Sequence, residues 1–226
     1  MRMRKKKNLQ EKLSSVSSNL SVLFSDDPNY NTSVEKKEYL DWEKIFGNNN
    51  PMELEVGCGK GQFACELAKR NPEMNYIAVE VNPNVIYMAC KKALDEGIKN
   101  LHFLQCRAEY LPKYIPDDSI GRVYLNFSCP FPKKKYASHR LTNERFLNIY
   151  RELMTDSAEI HQKTDNMHFF EYSIEEFSQC GFAIKNLSLD LHNSGFENNI
   201  MTEYEKRFTD LGQPIYRLEA YIKGEN

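Results

Sequence analysis

The sequence predicts an α/β protein with a doubly wound, mostly parallel sheet of seven strands and helices on both of its faces. Two observations carry this prediction. Short apolar runs alternate with stretches of helical periodicity along residues 52–222, and a glycine-rich turn joins the first run to the first helix. Repeated strand–helix units return the chain to the same edge of the sheet, so the strands are expected to run parallel. In such sheets ligands bind beyond the carboxyl ends of the strands.

Seven apolar runs have the length and composition of strands. They are residues 52–56, 76–81, 101–106, 122–127, 159–163, 182–189 and 215–222. The stretches between them that have helical spacing include one through Ala64, Leu67 and Ala68 that stops near residues 71–72, and residues 83–94, 146–154, 169–180 and 201–208. Gly97 and Gly181 follow two of these stretches, where a glycine is typical of a helix end.

The bulk composition is that of a globular protein of 226 residues, 41% hydrophobic and 27% charged. No apolar run approaches the ~20 residues that a membrane span needs. No apolar segment follows the basic N-terminus, as it would in a secretory signal. We therefore predict a cytoplasmic protein with no membrane partner.

The cysteines and histidines indicate no metal site, so no metal is expected. No CxxC pair is present, and His161, His168 and His192 lack the spacing of metal ligands. We expect scattered buried thiols in a reducing compartment. The cysteines are Cys58, Cys65, Cys90, Cys106, Cys129 and Cys180.

Positive charge is concentrated in two places, although the net charge is −2. A first basic run occupies residues 2–7, and a second contains Lys133, Lys134, Lys135, His139 and Arg140. A neutral protein with two basic clusters can bind a polyanion locally. The alternative is that both runs are merely solvated tails and loops.

The N-terminal part of the chain differs in composition from the rest. Residues 14–34 are rich in Ser, Asn and Asp, which is typical of an extended or loosely ordered arm. Tyr39, Trp42, Ile45 and Phe46 then recur at helical spacing, and residues 47–51 end that helix. We predict a basic N-terminal arm plus a short helix over residues 1–50, and an α/β domain over residues 51–226.

A glycine-rich turn at residues 55–61 indicates a cofactor site. Gly57, Gly59 and Gly61 form a GxGxG pattern between the first strand and its helix, not the GxGxxG of dinucleotide folds. Glu55 precedes it, where a carboxylate suits an ammonium group better than a pyrophosphate. Glu80 ends the second strand and can accept hydrogen bonds from ribose hydroxyls. This pattern favours S-adenosylmethionine over NAD; the alternative is an ordinary tight turn.

The loop after the fourth strand has the composition of a nucleic-acid contact. Residues 124–136 read YLNFSCPFPKKKY. Two prolines stiffen the loop at the carboxyl edge of the sheet. Its cations suit phosphate groups, and its aromatic rings suit stacking on bases.

With these segments in place, the chain resembles the bacterial tRNA (guanine-N7-)-methyltransferase family. The resemblance rests on MELEVGCGKGQF (52–63), NYIAVEVN (75–82), RVYLNFSCPFPKKKYASHRLT (122–142), EIHQKTDN (159–166), LDLHN (189–193), NIMTEYEKRF (199–208) and GQPIYRLEAY (212–221). It implies a class I S-adenosylmethionine-dependent methyltransferase domain, Rossmann-like in architecture. It also implies methylation of a guanine N7 in the variable loop of tRNA, by a monomer or homodimer.

The resemblance also implies roles for particular residues. The cofactor is assigned to Glu55, Gly57, Gly59, Gly61, Glu80, Arg107, Ala108 and Asn126. The substrate is assigned to Lys133, Asp165, Thr202, Glu203, Tyr204 and Glu205, and catalysis to Cys129 and Asp165. The alternative for Asp165 and Asn166 is that they cap a helix, and the alternative for Glu203 and Glu205 is an ordinary solvent-facing helix start.

The chain departs from the family at two of these positions. The family has an aspartate followed by Pro-Trp where this chain has Cys129, and an acidic residue where it has Arg107. Guanine N7 carries a free lone pair, so it can be methylated without a general base, and Asp165 can orient the ring. We therefore expect Cys129 to preserve activity.

Three alternatives remain open from the sequence. The first is a catalytically impaired tRNA-binding partner protein of the same fold, which the changes at Cys129 and Arg107 favour. The second is a methyltransferase that acts on a small molecule or a protein. In the third, Cys129 is a nucleophile that attacks a pyrimidine carbon, which requires a thiolate.

Overall fold

The computed structural model describes residues 8–23 and 36–223. The basic run at residues 2–7 and part of the predicted arm lie outside these residues. The chain divides into two compact units after Pro116. Among the described residues, no helix has the length and apolar character needed to cross a membrane.

The first unit carries four parallel strands in the order β1-β4-β3-β2. Its strands are β1 (Leu20–Val22), β2 (Met52–Val56), β3 (Asn75–Val79) and β4 (Leu101–Gln105). Its helices are α1 (Leu9–Ser14), α2 (Trp42–Phe46), α3 (Gln62–Arg70), α4 (Pro83–Asp95) and α5 (Leu111–Tyr114). The strand–helix–strand connections predicted for residues 52–105 are therefore present.

The second unit carries four strands in the order β5-β6-β8-β7. Its strands are β5 (Ile120–Asn126), β6 (Met154–Thr164), β7 (Phe182–Ser188) and β8 (Tyr216–Ile222), and its helices are α6 (Glu144–Leu153), α7 (Met167–Gln179) and α8 (Glu203–Thr209). β5 and β6 are parallel, whereas β8 is antiparallel to both β6 and β7. The strands of the first unit are thus all parallel, and those of the second unit are mixed.

Eight strands are present among the described residues, so the predicted number of seven is wrong by one. The extra strand is β1, within the stretch predicted to be a loosely ordered arm. Leu20 of β1 pairs with Phe103 of β4 and is buried. A three-residue strand is too short to produce a recognisable alternation, and it is stabilised by its pairing with β4 rather than by local propensity.

Helices cover both faces of the sheet in the first unit. Successive residues of a strand point to opposite faces. His102 of β4 meets the rings of Trp42 and Phe46 from α2 edge-on. Its neighbour Phe103 packs in the core cluster with Ala64 of α3 and Ala89 of α4.

Polar side chains begin several helices. The side chain of Asn82 accepts a hydrogen bond from the backbone of Asn84, and Pro83 takes the first position of α4, where a missing N–H costs nothing. Asp41 caps α2, and Asn143 caps α6. These caps satisfy backbone N–H groups that have no partner within the helix.

The turn between β2 and α3 depends on glycine for two different reasons. Gly59 and Gly61 both have positive φ, 57° and 75°. A Cβ atom on Gly61 would lie 2.7 Å from the Cβ of Ala89, whereas one on Gly59 would meet nothing within 4 Å. Gly61 therefore allows α3 to approach α4, and Gly59 leaves open space above the turn.

We expect Gly61→Ala to lower the free energy of unfolding by about 2–4 kcal/mol, because it adds a steric clash to the strain of a left-handed conformation. Gly59→Ala is the matched control, with strain alone, and should lower it by about 1 kcal/mol. Urea unfolding of the two variants without cofactor measures both changes in the free energy of unfolding. Equal effects would contradict the role assigned to Gly61.

Burial lowers the pKa of His102 to about 4, whereas an unfolded histidine titrates near about 6.5. The folded protein thus keeps His102 neutral in a range where the unfolded chain takes up a proton. The contribution of His102 to the free energy of unfolding is fully present above about pH 6.5 and is lost as the pH falls towards 4.

Between pH 7.5 and 5.5 the protein should lose about 1 kcal/mol more stability than His102→Gln does. The comparison uses the difference between the two proteins because burial also lowers the pKa of His161 to about 4. Urea unfolding at both pH values provides the measurement. Identical pH dependence in the two proteins would exclude a buried neutral His102.

Candidate functional site: a glycine turn and an aromatic, basic loop

The residues predicted to bind the cofactor lie in the first unit, apart from Asn126, and those predicted to bind the substrate lie in the second. In the first unit, β2 and β3 end side by side. The backbone N–H groups of Gly57 and Cys58 both donate to the carbonyl of Val79, at 2.8 and 2.9 Å. The glycine turn therefore begins beside the residue that precedes Glu80.

The carboxylate of Glu80 lies within this turn. It accepts a hydrogen bond of 2.8 Å from the backbone of Asn82. Burial raises the pKa of Glu80, and hydrogen bonds from the backbone of Asn82, Gly59 and Val81 oppose that rise. A half-buried carboxylate at the end of a strand can accept hydrogen bonds from the two hydroxyls of a ribose.

Glu55 provides a second acid beside the same turn. It lies in β2 and is 5% exposed. The pKa of the buried Cys58 thiol is raised well above its usual range, first by burial and then by the negative charges of Glu55 and Glu80. Both carboxylates therefore act on the turn electrostatically, and their field favours a cationic ligand.

These residues fit S-adenosylmethionine. Two carboxylates suit the ammonium group and the ribose of that molecule, and Gly59 leaves its backbone open to a ligand. Val81, directly after Glu80, is 61% exposed and offers an apolar surface to a purine ring.

Arg107 and Ala108 follow β4 at the same edge. Arg107 is exposed, and its guanidinium donates a hydrogen bond of 2.6 Å to the buried carboxylate of Glu109. Glu109 also raises the pKa of Arg107. Sequence reasoning missed Glu109, an acid two residues beyond the position where the family has one. This spacing was the available signal.

In the second unit, the loop after β5 has an unusual backbone. Asn126 ends β5 and is half-buried. Phe127 and Phe131 have positive φ, 52° and 39°, a strained conformation for bulky side chains that is concentrated at functional sites. Cys129 lies between them and is exposed. The expectation of buried thiols is therefore wrong for Cys129, although it is confirmed for Cys58, Cys65, Cys90 and Cys106.

Arg140 holds this loop from within. Its guanidinium donates to the carbonyls of Pro130 and Phe131, at 3.0 and 3.1 Å. The same group lies 4.1 Å from the ring centre of Tyr172 on α7. Arg140 was grouped with the basic cluster that suits a polyanion, but its contacts show that it stabilises the loop.

The other members of that cluster are open to solvent. Lys133, Lys134 and Lys135 are exposed, with Lys133 at the start of a 3-10 helix (Lys134–His139). Lys135 lies 5.1 Å from the ring centre of Tyr136. An exposed lysine and tyrosine in contact form a surface that suits both the phosphates and the bases of RNA.

The segment after β6 carries Asp165. Asn166, not Asp165, caps α7: its side chain accepts a hydrogen bond of 2.9 Å from the backbone of Phe169. Asp165 is half-buried at the carboxyl end of β6. The alternative that these two residues cap a helix is therefore confirmed for Asn166 and wrong for Asp165.

Residues 202–205 begin α8, and they divide into two classes. Thr202 and Glu205 are buried and form a reciprocal capping box. Glu203 and Tyr204 are exposed. Glu205 is 0% exposed, so its carboxylate stabilises this segment from inside. This burial differs from the direct substrate contact that was predicted for Glu205.

The structure brings two of the predicted substrate segments together. The ring of Tyr204 stacks on that of Phe127, with ring centres 6.4 Å apart and planes 22° apart. Phe127 is next to Asn126 and two residues from Cys129. Sequence reasoning did not select Phe127, since nothing in its spacing distinguished it from a core residue.

Glu159, His161 and Glu219 form a group whose ligand atoms lie within 4.8 Å of one another, close enough to hold a metal ion. Each carboxylate is already paired with a cation, Glu159 with Lys185 and Glu219 with Arg217. Two carboxylates neutralised in this way attract a divalent ion weakly. His168 and His192 contact Glu171 and Glu205 respectively.

Comparison with known proteins agrees with this arrangement. Residues 49–218 match a family model described as a putative methyltransferase. A tRNA (guanine-N(7)-)-methyltransferase from Streptococcus agalactiae serotype III is 43% identical over 97% of this chain and 99% of its own. One from Listeria welshimeri is 48% identical over 79% of this chain and 84% of its own.

Solved structures share the fold. A SAM dependent methyltransferase from Aquifex aeolicus is 14% identical, with a TM-score of 0.55 over 96% of this chain and 100% of its own. The 16S rRNA methyltransferase KamB is 15% identical, with a TM-score of 0.60 over 83% and 96%. The predicted class I methyltransferase fold is confirmed. The chain belongs to the family of the tRNA (guanine-N(7)-)-methyltransferases.

Proposed function

We propose that this protein transfers a methyl group from S-adenosylmethionine to N7 of a guanine in the variable loop of tRNA. The observation that carries this proposal is the relationship to tRNA (guanine-N(7)-)-methyltransferases over nearly the whole length of the chain. The glycine turn with two acids and the exposed basic loop supply the two surfaces that the reaction requires.

We assign the cofactor to the residues around the turn. Glu55, Glu80 and the backbone of the turn at Gly57, Gly59 and Gly61 bind it, together with Arg107, Ala108 and Asn126. Bound S-adenosylmethionine supplies a methyl group on a positively charged sulfur. Glu55 and Glu80 orient the cofactor, and their negative charge favours its binding.

We assign the substrate to the second unit. Lys133 binds phosphate, and Asp165 accepts hydrogen bonds from N1–H and the 2-amino group of the guanine. Thr202, Glu203 and Tyr204 contact the RNA, and Glu205 acts through them. Because N7 has a free lone pair, the protein mainly has to position the base, and Cys129 does not need to remove a proton.

The chain is expected to form a single catalytic domain with an N-terminal extension. We propose that residues 51–226 form the methyltransferase domain and that residues 1–50 extend it, with β1 added to its sheet. The protein acts without a metal, as a monomer or homodimer, in the cytoplasm where tRNA is modified.

The function is tested by transfer of labelled methyl from S-adenosylmethionine to an unmodified tRNA transcript. Borohydride and aniline cleavage then locates 7-methylguanosine. We expect one cut in the variable loop. Cys129→Ser should retain at least about a tenth of the wild-type rate, because no general base is needed.

Tight tRNA binding without incorporation would instead identify a non-catalytic tRNA-binding protein of this fold. Complete loss of transfer in a folded Cys129→Ser variant would revive a chemical role for that thiol. Incorporation into a pyrimidine would favour the nucleophile mechanism.

Glu80→Gln should weaken binding of S-adenosylhomocysteine by about 10- to 100-fold, because a charged acceptor of ribose hydrogen bonds is lost. Calorimetry measures this affinity. Glu73→Gln, an exposed acid in the loop before β3, is the matched control and should bind as the wild type does. An equal rise in the KM of Glu80→Gln for cofactor and for tRNA would contradict the assignment of Glu80 to the ribose.

A further inference from the structure

Phe127 has a conformation that its local sequence does not favour. Its φ of 52° places a bulky aromatic residue in the left-handed region. Its backbone N–H donates to the carbonyl of Lys163 at 2.8 Å, so β6 holds it in this conformation. The result is that its ring turns towards α8, where it meets Tyr204.

Tyr204 is covered on one side only. The ring of Phe127 lies within 22° of parallel to it, with ring centres 6.4 Å apart, and Tyr204 is still 61% exposed. An apolar ring held flat against a second ring presents its exposed surface with little conformational freedom. Such a surface suits a nucleobase, since every base has a flat π face.

A buried ion pair fixes the position of this ring. The ammonium of Lys163 donates to the Glu205 carboxylate at 2.7 Å, to the side chain of Asn199 at 3.0 Å and to the carbonyl of Ile200 at 2.9 Å. The same carboxylate accepts hydrogen bonds from the backbone N–H of Thr202 at 3.4 Å and from the side-chain amide of Asn199, and the ring of His192 lies 3.2 Å from it.

The strands determine what this pair connects. Lys163 is paired with Asn126 across β5 and β6, and Glu205 directly follows Tyr204. The ion pair therefore joins the strand ends that carry Asn126 and Asp165 to the segment that carries Tyr204. Every hydrogen of the ammonium has an acceptor, which is the condition under which a buried pair is tolerated.

We propose that Phe127 and Tyr204 form a stacking platform for the guanine that is methylated, and that Lys163 and Glu205 are positioning residues that hold it. This inference rests on the proposed function and adds to it the contact that recognises the base. It also explains why the segment at residues 202–205 contains a fully buried glutamate.

The platform favours the transition state over the ground state. The N7 lone pair forms the new N–C bond while the C–S bond breaks and its electrons go to sulfur, so the positive charge passes from sulfur to the purine. A cationic ring is attracted to the negative face of an aromatic ring. Tyr204 should therefore contribute to kcat as well as to binding.

Tyr204→Leu and Tyr204→Phe test the platform. The leucine variant should lower kcat/KM for tRNA by about 10- to 100-fold, with part of the loss in kcat. The phenylalanine variant, which keeps the ring, should stay within about threefold of the wild type. Tyr221→Leu changes an exposed tyrosine on β8 and is the matched control, expected to be unchanged.

Binding provides a second readout. A tRNA with 2-aminopurine in place of the methylated guanine should lose fluorescence on binding the wild type, and less on binding Tyr204→Leu. Affinity for S-adenosylhomocysteine should be equal in both. Wild-type methylation together with unchanged kcat/KM and unchanged quenching in Tyr204→Leu would overturn the platform. Absence of any wild-type methylation would overturn the proposed function instead.

The positioning role is tested by combining variants. Glu205→Gln keeps the shape of the side chain but removes its charge and turns an amide NH2 group towards either Asn199 or Lys163, both of which donate to Glu205. Introduced alone, this change should lower kcat/KM for tRNA. Introduced together with Tyr204→Leu, it should lower kcat/KM little further, because both changes disable the same platform. Fully additive losses would show that Glu205 is merely structural. If Glu205→Gln does not fold, Asn199→Ala replaces it, with the same two outcomes.

Discussion

The parallel register of neighbouring strands is the constraint on which the rest of the structure depends. Val56, Val79 and Leu104 are paired across β2, β3 and β4, so the residues that follow them emerge at one edge of the sheet. The glycine turn and Glu80 meet for this reason. In the second unit, the parallel pairing of Asn126 with Lys163 brings Phe127 and Asp165 to one edge in the same way.

Strand register alone does not place the segment at residues 199–205, which reaches that edge from a loop. Burying a charged pair there costs several kcal/mol per ion before compensation. The pair of Lys163 and Glu205 is compensated by Asn199, His192, Ile200 and the backbone of Thr202. An apolar pair would bury the same segment with no directional contacts. The ion pair instead gives directional contacts to the segment that carries Tyr204.

The sequence predicted the repeating part of the fold well, because periodicity over five or more residues reports burial directly. The strand at Met52–Val56 and the start of α4 at Pro83 agree with the structure. β1 was not predicted, since three residues paired with β4 leave no periodic signal. The positive φ of Phe127 was not predicted either, because a phenylalanine gives no signal of a left-handed conformation.

The site likewise contains residues that the sequence identifies and residues whose roles only the folded structure shows. Glycines, acids and cations are recognisable by residue type, so Gly61, Glu80 and Lys133 could be selected from the sequence. The roles of Arg140 and Glu205 could not be predicted, because the residue type does not tell whether a charged side chain faces RNA or the protein interior. Their partners, the carbonyls of Pro130 and Phe131 and the buried Lys163, are defined only once the chain is folded.

The chemistry of the proposed reaction does not require a carboxylate at the position of Cys129. Alkylation of a neutral purine nitrogen removes no proton before the bond forms, so a missing carboxylate does not stop the reaction as the loss of a general base would. The barrier depends instead on how well the base is held and on how well its developing charge is stabilised. Two stacked rings can supply both, since they restrict the plane of the purine and attract its positive charge. The left-handed backbone of Phe127 accompanies the contact between its ring and that of Tyr204, which is the contact that the proposed platform needs.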